Sequence, residues 1–295
     1  MSSRYTELTS QLRALKLPTM AESFSDIAMK AVRSGLSHEA YLHELVRLEC
    51  EAREQRRVAR LLHESGLPRE KTFRTLQLGV FPPLVRQQID RLRSGTFVQQ
   101  AVNVVVVGKP GAGKSHVLAS LGHTLVQQGY GVLWRSTAHL MQRLLAAKRD
   151  LRLPQELAKL DRYACLILDD IGYVQHDQDE MEILFTLLSE RYERKTVMIS
   201  TNLVFSEWTR IFKSPMTTMA AIDRVVHHCV IVDMMAVESY RAKEATITNQ
   251  PATTIPLEAE AGIGTNQQEA SPVISENGTH EPASLMIVGG KVRDF

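Results

Sequence analysis

The sequence predicts an α/β fold: a five-stranded parallel sheet with helices on both faces, preceded by a small all-helical segment and followed by a disordered tail. Three observations predict it. Between residues 101 and 235, short aliphatic runs alternate with stretches of helical periodicity. Residues 4–66 carry helical periodicity alone. Past Ala245 the composition turns to Thr, Pro, Glu, Asn, Gly and Ser with few large apolar residues, too few to offset the entropy of ordering the chain. The expected domains are a helical unit at 1–66, a basic connection at 67–100, the sheet domain at 101–245 and the tail at 246–295.

The opening segment places Leu8, Leu12 and Leu15, then Met20, Phe24, Ile27 and Met29, then Tyr41, Leu42, Leu45 and Leu48 near three- and four-residue spacing. Leu17-Pro18 and Ser34-Gly35 break the pattern, and Ser37 caps a helix over 38–62. Pro82-Pro83 sets a turn before a short helix at 84–93. Strands fall at 102–107, 131–135, 164–169, 196–201 and 229–233, with helices at 114–128, 137–149, 178–194 and 216–227. The run Ala-Val-Asn-Val-Val-Val-Val at 101–107 is continuous rather than alternating, as a strand covered on both faces requires. In the helix after it, Val117, Leu118, Leu121, Leu125 and Val126 recur at helical intervals.

Bulk properties narrow the function classes. No apolar run approaches the ~20 residues that span a bilayer, and the N-terminus lacks a basic-then-apolar leader pattern. Three cysteines, Cys50, Cys165 and Cys229, are odd in number and far apart, and Cys165 and Cys229, inside apolar strand-like runs, suit buried thiols in a reducing cytoplasm rather than disulfides or a metal site. The net charge is +2, but from Thr246 onward six acidic residues oppose two basic ones, −4, which leaves +6 on residues 1–245. A mildly basic body is compatible with nucleic acid.

The stretch Gly108-Lys109-Pro110-Gly111-Ala112-Gly113-Lys114-Ser115 matches the phosphate-loop pattern G-x-x-x-x-G-K-[ST] at every fixed position. Glycines let backbone N–H groups converge on an anion, and the helix starting at Gly113-Lys114 adds its positive end. Lys114 then reaches the β- and γ-phosphates, the Ser115 hydroxyl ligates Mg²⁺, and His116 closes the nucleotide-binding stretch. A chance match arises in roughly one chain in a hundred of this length, and the strand–loop–helix context argues further against chance. The implied cofactors are ATP and Mg²⁺.

Leu166-Ile167-Leu168-Asp169-Asp170 is an aliphatic strand ending in two carboxylates. Beside the phosphate-loop strand, Asp169 is placed near Mg²⁺ and Asp170 toward the attacking water. The bland alternative is an Asp pair that caps the turn at Gly172. Ile199-Ser200-Thr201-Asn202 ends another strand in an amide, and Asn202 at that edge can hold the lytic water or sense the γ-phosphate. Arg224 and Arg241 flank the last strand. A forked, permanent cation suits a transferring phosphoryl group, in cis or from a neighbouring subunit. Surface pairs with Asp223 and Glu238 are the alternative. His227 and His228 are read as structural, because nothing nearby in sequence supplies further metal ligands.

Three basic stretches are candidate contacts to a phosphate backbone. Arg53, Arg56, Arg57 and Arg60 fall near one helix face with Glu54 among them. Residues 67–100 carry a net +4, with Lys71 and Arg74 in the first part. Between the second and third strands, Arg143, Lys148, Arg149, Arg152, Lys159 and Arg162 stand against Asp150, Glu156 and Asp161, while Leu140, Leu144, Leu145 and Leu151 form the buried side. For many of these charges a solvated helix laced with ion pairs is the competing explanation.

The phosphate loop is followed by Asp-Asp-Ile-Gly-Tyr, Ser-Thr-Asn-Leu, Phe-Ser-Glu-Trp, Ile-Asp-Arg-Val-Val-His-His and Glu-Ser-Tyr-Arg. This order of motifs closely resembles the IstB-like ATPases, transposition helper proteins of an insertion-sequence family within the DnaC-like branch of the AAA+ class. The opening Leu12-Arg13-Ala14-Leu15-Lys16-Leu17-Pro18-Thr19-Met20-Ala21-Glu22 resembles that family's N-terminal domain. The resemblance runs from about residue 8 to 245. It implies an AAA+ phosphate-loop core in which Asn202 is the first sensor, Arg224 a trans-acting arginine finger and Arg241 the second sensor. The helices at 139–163 would be the insert that touches DNA. Two departures stand out: Asp169-Asp170 where the family has Asp-Glu, which would slow hydrolysis, and Ala236-Val237 where a Gly precedes Glu-Ser-Tyr-Arg.

The expectation is an ATPase that oligomerises as a ring or filament on duplex DNA, largely without sequence preference, and recruits or stimulates a partner transposase in the cytoplasm. A helicase loader acting in replication would share the whole ATPase core, but Leu-Pro-x-Met-Ala-Glu at the N-terminus favours transposition. A small-molecule kinase is disfavoured by the paired late arginines and the basic insert.

Overall fold

The structure, a computed structural model, describes residues 3–172, 178–209 and 215–239. Three helices open the chain: α1 (Ser3–Ala14), α2 (Pro18–Ser34) and α3 (His38–Ser65). Pro18 is tolerated in the first turn of α2, where its missing N–H costs nothing, and Gly35 ends α2 in the left-handed region at φ 63°. Ser37 caps α3 by accepting from the Ala40 amide at 3.2 Å. Met20, Phe24 and Leu45 form a small apolar cluster with Tyr5, Leu12 and Ile27 around it. Buried Glu49 on α3 accepts from the Thr19 and Met20 amides at 2.8 and 3.2 Å, an anion set on the positive end of α2. The expected tail lies outside the described residues.

The sheet follows the sequence expectation to within a residue or so. Its strands are β1 (Asn103–Gly108), β2 (Val132–Ser136), β3 (Cys165–Asp169), β4 (Thr196–Thr201) and β5 (Cys229–Met234), all parallel, in the order β2-β3-β4-β1-β5. All six residues of β1 are buried. Its alternate residues serve two cores. Val104 and Val106 face a layer made by α6 (Lys114–Gln127), α4 (Pro83–Leu92), α5 (Thr96–Gln99) and the chain around Leu67 to Phe81. Val105 and Val107 face α7 (Thr137–Arg149), α8 (Leu153–Leu160), α9 (Gln178–Arg191) and α10 (Pro215–Val226). Burying each such valine contributes about 2 kcal/mol, and both cores need the pleat, so a one-residue slip would exchange them.

The segment at 67–100 is therefore more than a basic tether. Leu67, Leu76, Phe81, Val85, Ile89, Leu92, Phe97 and Val98 belong to the first core. Leu67 packs so near α6 that a Cβ on Gly122 would fall 2.7 Å from Leu67 Cδ2. Leu151 also departs from expectation. It stands at the α7–α8 tip at φ 56° and is 87% exposed, because the turn reverses the chain before another helical period can bury it. Among the described residues, no helix is long and apolar enough to cross a membrane.

Candidate functional site

The carboxyl-terminal edge of the sheet holds the chemistry. β1 ends at Gly108, and the turn to α6 needs left-handed backbone at Gly111 (φ 82°) and Gly113 (φ 91°). A Cβ on Gly111 would fall 2.1 Å from Ser239 Oγ, and one on Gly108 would fall 3.0 Å from Met234 Cβ. The loop is thus backed by β5 and the chain beyond it, and it presents a cradle that side chains would fill. Lys114 folds over this cradle, its Nζ donating to the Gly108 and Lys109 carbonyls at 2.8 and 3.0 Å. Lys109 and Pro110 are exposed at the rim, and Ala112 is buried beneath it.

Three strand ends meet under the loop. Ser115 Oγ donates to Asp169 Oδ1 at 2.7 Å, and Ser200 Oγ donates to the same oxygen at 2.6 Å. The Asp170 amide donates to Ser200 Oγ at 2.8 Å, and Thr137 Oγ1 holds the Asp169 carbonyl at 3.0 Å. Asp170 takes φ 64°, a region that Asp tolerates better than most residues with a Cβ. A hydroxyl beside a carboxylate is an oxygen donor set suited to a hard divalent cation.

Ser200 escaped sequence reasoning, which took the amide two residues on as the polar group of this strand end. The alternation of the strand carries the missed signal. Residues 198 and 200 share a face of β4, and Ser200 is the hydroxyl that ends it. Asn202 stands just beyond β4, with its Oδ1 buried and without a hydrogen-bond partner among the described residues. A Cβ on Gly172 would fall 2.2 Å from that oxygen.

A cleft of about 880 Å³ opens over the loop. One wall is the loop itself with Asp170 and Ser200. The other comes from Leu76, Val80, Phe81 and Pro82, with Val237 beyond β5. The wall was also missed, although Leu76-Gln77-Leu78-Gly79-Val80-Phe81 is an apolar island in an otherwise basic stretch. Lys71, a candidate DNA contact by charge, lines this cleft, and Arg74 is exposed. His116 pins the wall to α6: its Nε2 lies 3.1 Å from both the Thr72 carbonyl and Thr75 Oγ1. Burial holds this imidazole below its usual pKa, against the opposing pull of the Thr72 carbonyl.

The two late arginines part company. Arg224, on α10, stacks its guanidinium 4.5 Å from the centre of the Phe185 ring and donates to the Ala220 carbonyl at 3.1 Å. It is absent from the cleft lining. Arg241 lies outside the described residues.

The basic stretches are largely engaged within the chain. Arg143 donates to Glu156 at 2.9 and 2.5 Å, Lys148 reaches Asp179 and Glu182 at 2.9 and 2.8 Å, and Arg152 pairs with Asp150. Arg149 is exposed with no ion pair among the described residues. On α3, Arg53 donates to the Lys16 carbonyl at 2.9 Å and Arg57 to the Gly129 carbonyl at 3.0 Å, so each ties the long helix to another element.

With this geometry in hand, comparison with known proteins is specific. Residues 10–247 match the family described as IstB-like ATP binding protein. A protein of Sinorhizobium fredii named as an insertion sequence ATP-binding protein is 40% identical over 235 residues, 79% of this chain and 78% of that one. An insertion sequence IS21 ATP-binding protein of Pseudomonas aeruginosa is 31% identical over 238 residues, 81% of this chain and 89% of that one. Among solved structures, a DNA replication initiation factor superposes with a TM-score of 0.51 at 16% identity, covering 62% of this chain and 55% of that one, a likeness of fold.

Proposed function

The chain belongs to the IstB-like ATP binding proteins, and from that premise we propose that it is an ATP-dependent regulator of DNA transposition. In this proposal it assembles on duplex DNA, hydrolyses ATP with Mg²⁺, and recruits or stimulates a partner transposase. The observation that carries the proposal is the Ser115–Asp169–Ser200–Asp170 network facing the cleft beneath the phosphate loop. Hydroxyl and carboxylate oxygens converge there at the positive end of α6, where a triphosphate would be held.

Each residue then has a task. The loop amides and Lys114 hold the phosphates. Lys114 must first leave the Gly108 and Lys109 carbonyls, so nucleotide binding opens the folded-over lysine. Ser115 and Asp169 would hold Mg²⁺, which when bound neutralises charge on the phosphate oxygens. Ser200 fixes the Asp169 carboxylate and the backbone of Asp170. Asp170 orients the attacking water and accepts its proton. Leu76, Val80, Phe81 and Val237 offer an apolar slot for the base. Arg224, stacked away from its own cleft, is presented to the cleft of a neighbouring subunit, and Asn202 senses the γ-phosphate. Arg149 and its neighbours on the α7–α8 hairpin meet the DNA backbone.

Sedimentation and ATPase rates, measured with and without duplex DNA over a range of salt, test the proposal. The expected result is ATP-dependent assembly on duplex that weakens steeply as salt rises, lost in Lys114→Ala. A protein that stays monomeric with ATP and duplex present, and whose hydrolysis ignores DNA, would overturn it.

A further inference from the structure

The opposite edge of the sheet carries a second cluster that the nucleotide chemistry does not use. Glu193 sits in the turn between α9 and β4, and His227 and His228 sit in the turn between α10 and β5. One ligand atom from each lies within 4.8 Å of the others. His228 Nε2 is 3.5 Å and His227 Nδ1 is 3.8 Å from the same Glu193 oxygen. The two histidines are neighbours in sequence yet both turn toward one carboxylate, with their rings edge to face at 4.4 Å. Glu193 reaches them from a left-handed backbone at φ 55°.

We propose that Glu193, His227 and His228 form a binding site for a borderline divalent transition metal of the zinc class. Two imidazoles and one carboxylate are a donor set that such ions take, with bonds of about 2.0–2.2 Å. A tetrahedron with bonds of that length has edges of about 3.3–3.6 Å, so the Glu193–His228 distance of 3.5 Å already fits and the Glu193–His227 distance of 3.8 Å needs to close by only a few tenths of an ångström. The Tyr192 hydroxyl, 3.1 Å from His227 Nδ1, would yield that nitrogen to the metal. All three ligands are exposed, so the site fills from solvent and leaves a coordination position open.

Its place in the fold gives the metal something to hold. β4 and β5 flank β1, and the two ligand-bearing turns lead into β4 and β5. A covalently unlinked bridge already spans this edge: the Asn103 amide donates to the His228 carbonyl at 2.7 Å. Its side chain joins the Val197 amide at 2.9 Å to the Val225 carbonyl at 3.2 Å. A metal would add a second, stronger clamp at the other end of the strand that carries the phosphate loop. His227 also closes the last turn of α10, its amide donating to the Asp223 carbonyl at 2.9 Å. The clamp therefore sets the end of the helix that bears Arg224.

Cobalt(II) titration of the full chain carrying Cys50→Ser, which removes the exposed thiol, reads the site through visible ligand-field bands. Zinc competition and melting temperature provide parallel readouts. Saturable one-to-one binding is expected, displaced by zinc, with a melting temperature that rises as zinc is added. Glu193→Gln and His228→Ala should each weaken binding at least about tenfold, since even loss of a group that merely orients a ligand costs that much. His139→Ala, an exposed histidine on α7, should leave it unchanged. Absence of saturable binding, or binding that is equal in Glu193→Gln, His228→Ala and the parent, would overturn the proposal. Because the readouts need neither ATP nor DNA, that failure would leave the ATPase proposal standing.

Discussion

The nucleotide edge of the sheet and the α7–α8 hairpin are both rich in charge, and they use it in opposite ways. At the sheet edge, Asp169 and Asp170 are half-buried, hydroxyls hold the Asp169 carboxylate and the Asp170 amide, and Asp170 lines a cleft. On the hairpin, Arg143, Lys148 and Arg152 are matched with acids and turned toward solvent. Exposed pairs of this kind contribute little to stability, and they also quench the field a phosphate backbone would feel. Charge placed by a strand end and a glycine turn points where the backbone points it. Charge on a helix surface goes to whichever partner the fold brings near.

Asp170→Asn probes the sheet edge hardest. Asn keeps the size of the side chain and the tolerance for φ 64° while removing the group that accepts a proton. Steady-state hydrolysis should fall by about 10²–10⁴-fold, with ATP affinity nearly unchanged. A variant that hydrolyses at the parent rate would remove Asp170 from the chemistry and leave the network structural.

The same contrast explains how much was legible beforehand. The five strands, the helices between them and the glycine loop follow from patterns among residues close in sequence, and those patterns fix backbone geometry locally. Ser115 meeting Asp169 was foreseeable once both were assigned to strand or loop ends. Ser200 was not singled out, because its role depends on the register that sets β4 between β3 and β1. The apolar wall at 76–82 was hidden because the segment's charge dominated its composition. Lys148 meeting Asp179 and Glu182, or Arg57 meeting the Gly129 carbonyl, depends on contacts 31, 34 and 72 residues apart, which no local pattern encodes. Glu193 joins His227 and His228 for the same reason, so histidines read as structural acquire a third donor only in the fold.

A gentler contrast lies within the hairpin itself. Arg149→Ala should weaken binding of duplex uniformly across sequences and reduce the slope of log affinity against log salt by about 0.9, one phosphate contact's worth. Lys148→Ala should change that slope by less, because Asp179 and Glu182 already neutralise its ammonium. Fluorescence anisotropy over a salt series measures both. Equal slopes for the two variants would show that the internal pairs dissolve on DNA and that the structure's pairing does not rank the contacts.

The smallest expected effect belongs to His116, where the cleft's apolar wall meets α6. Burial depresses this imidazole, so the folded chain binds its proton less readily than the unfolded chain does. Stability from this contact is therefore fully present above the ordinary histidine value of about 6.5 and is lost as pH falls through the lower folded value. Because the chain leading into the wall at 76–82 is pinned through Thr72 and Thr75, ATP affinity should decline over the same window. Melting temperature and ATP binding, compared at pH 7.5 and 5.5 for the parent and His116→Gln, would isolate it from the carboxylates that both share. The parent's extra loss on acidification should amount to about 2 °C or less. A steeper loss in the glutamine variant than in the parent would reverse the sign and show that the protonated imidazole is the form the fold prefers.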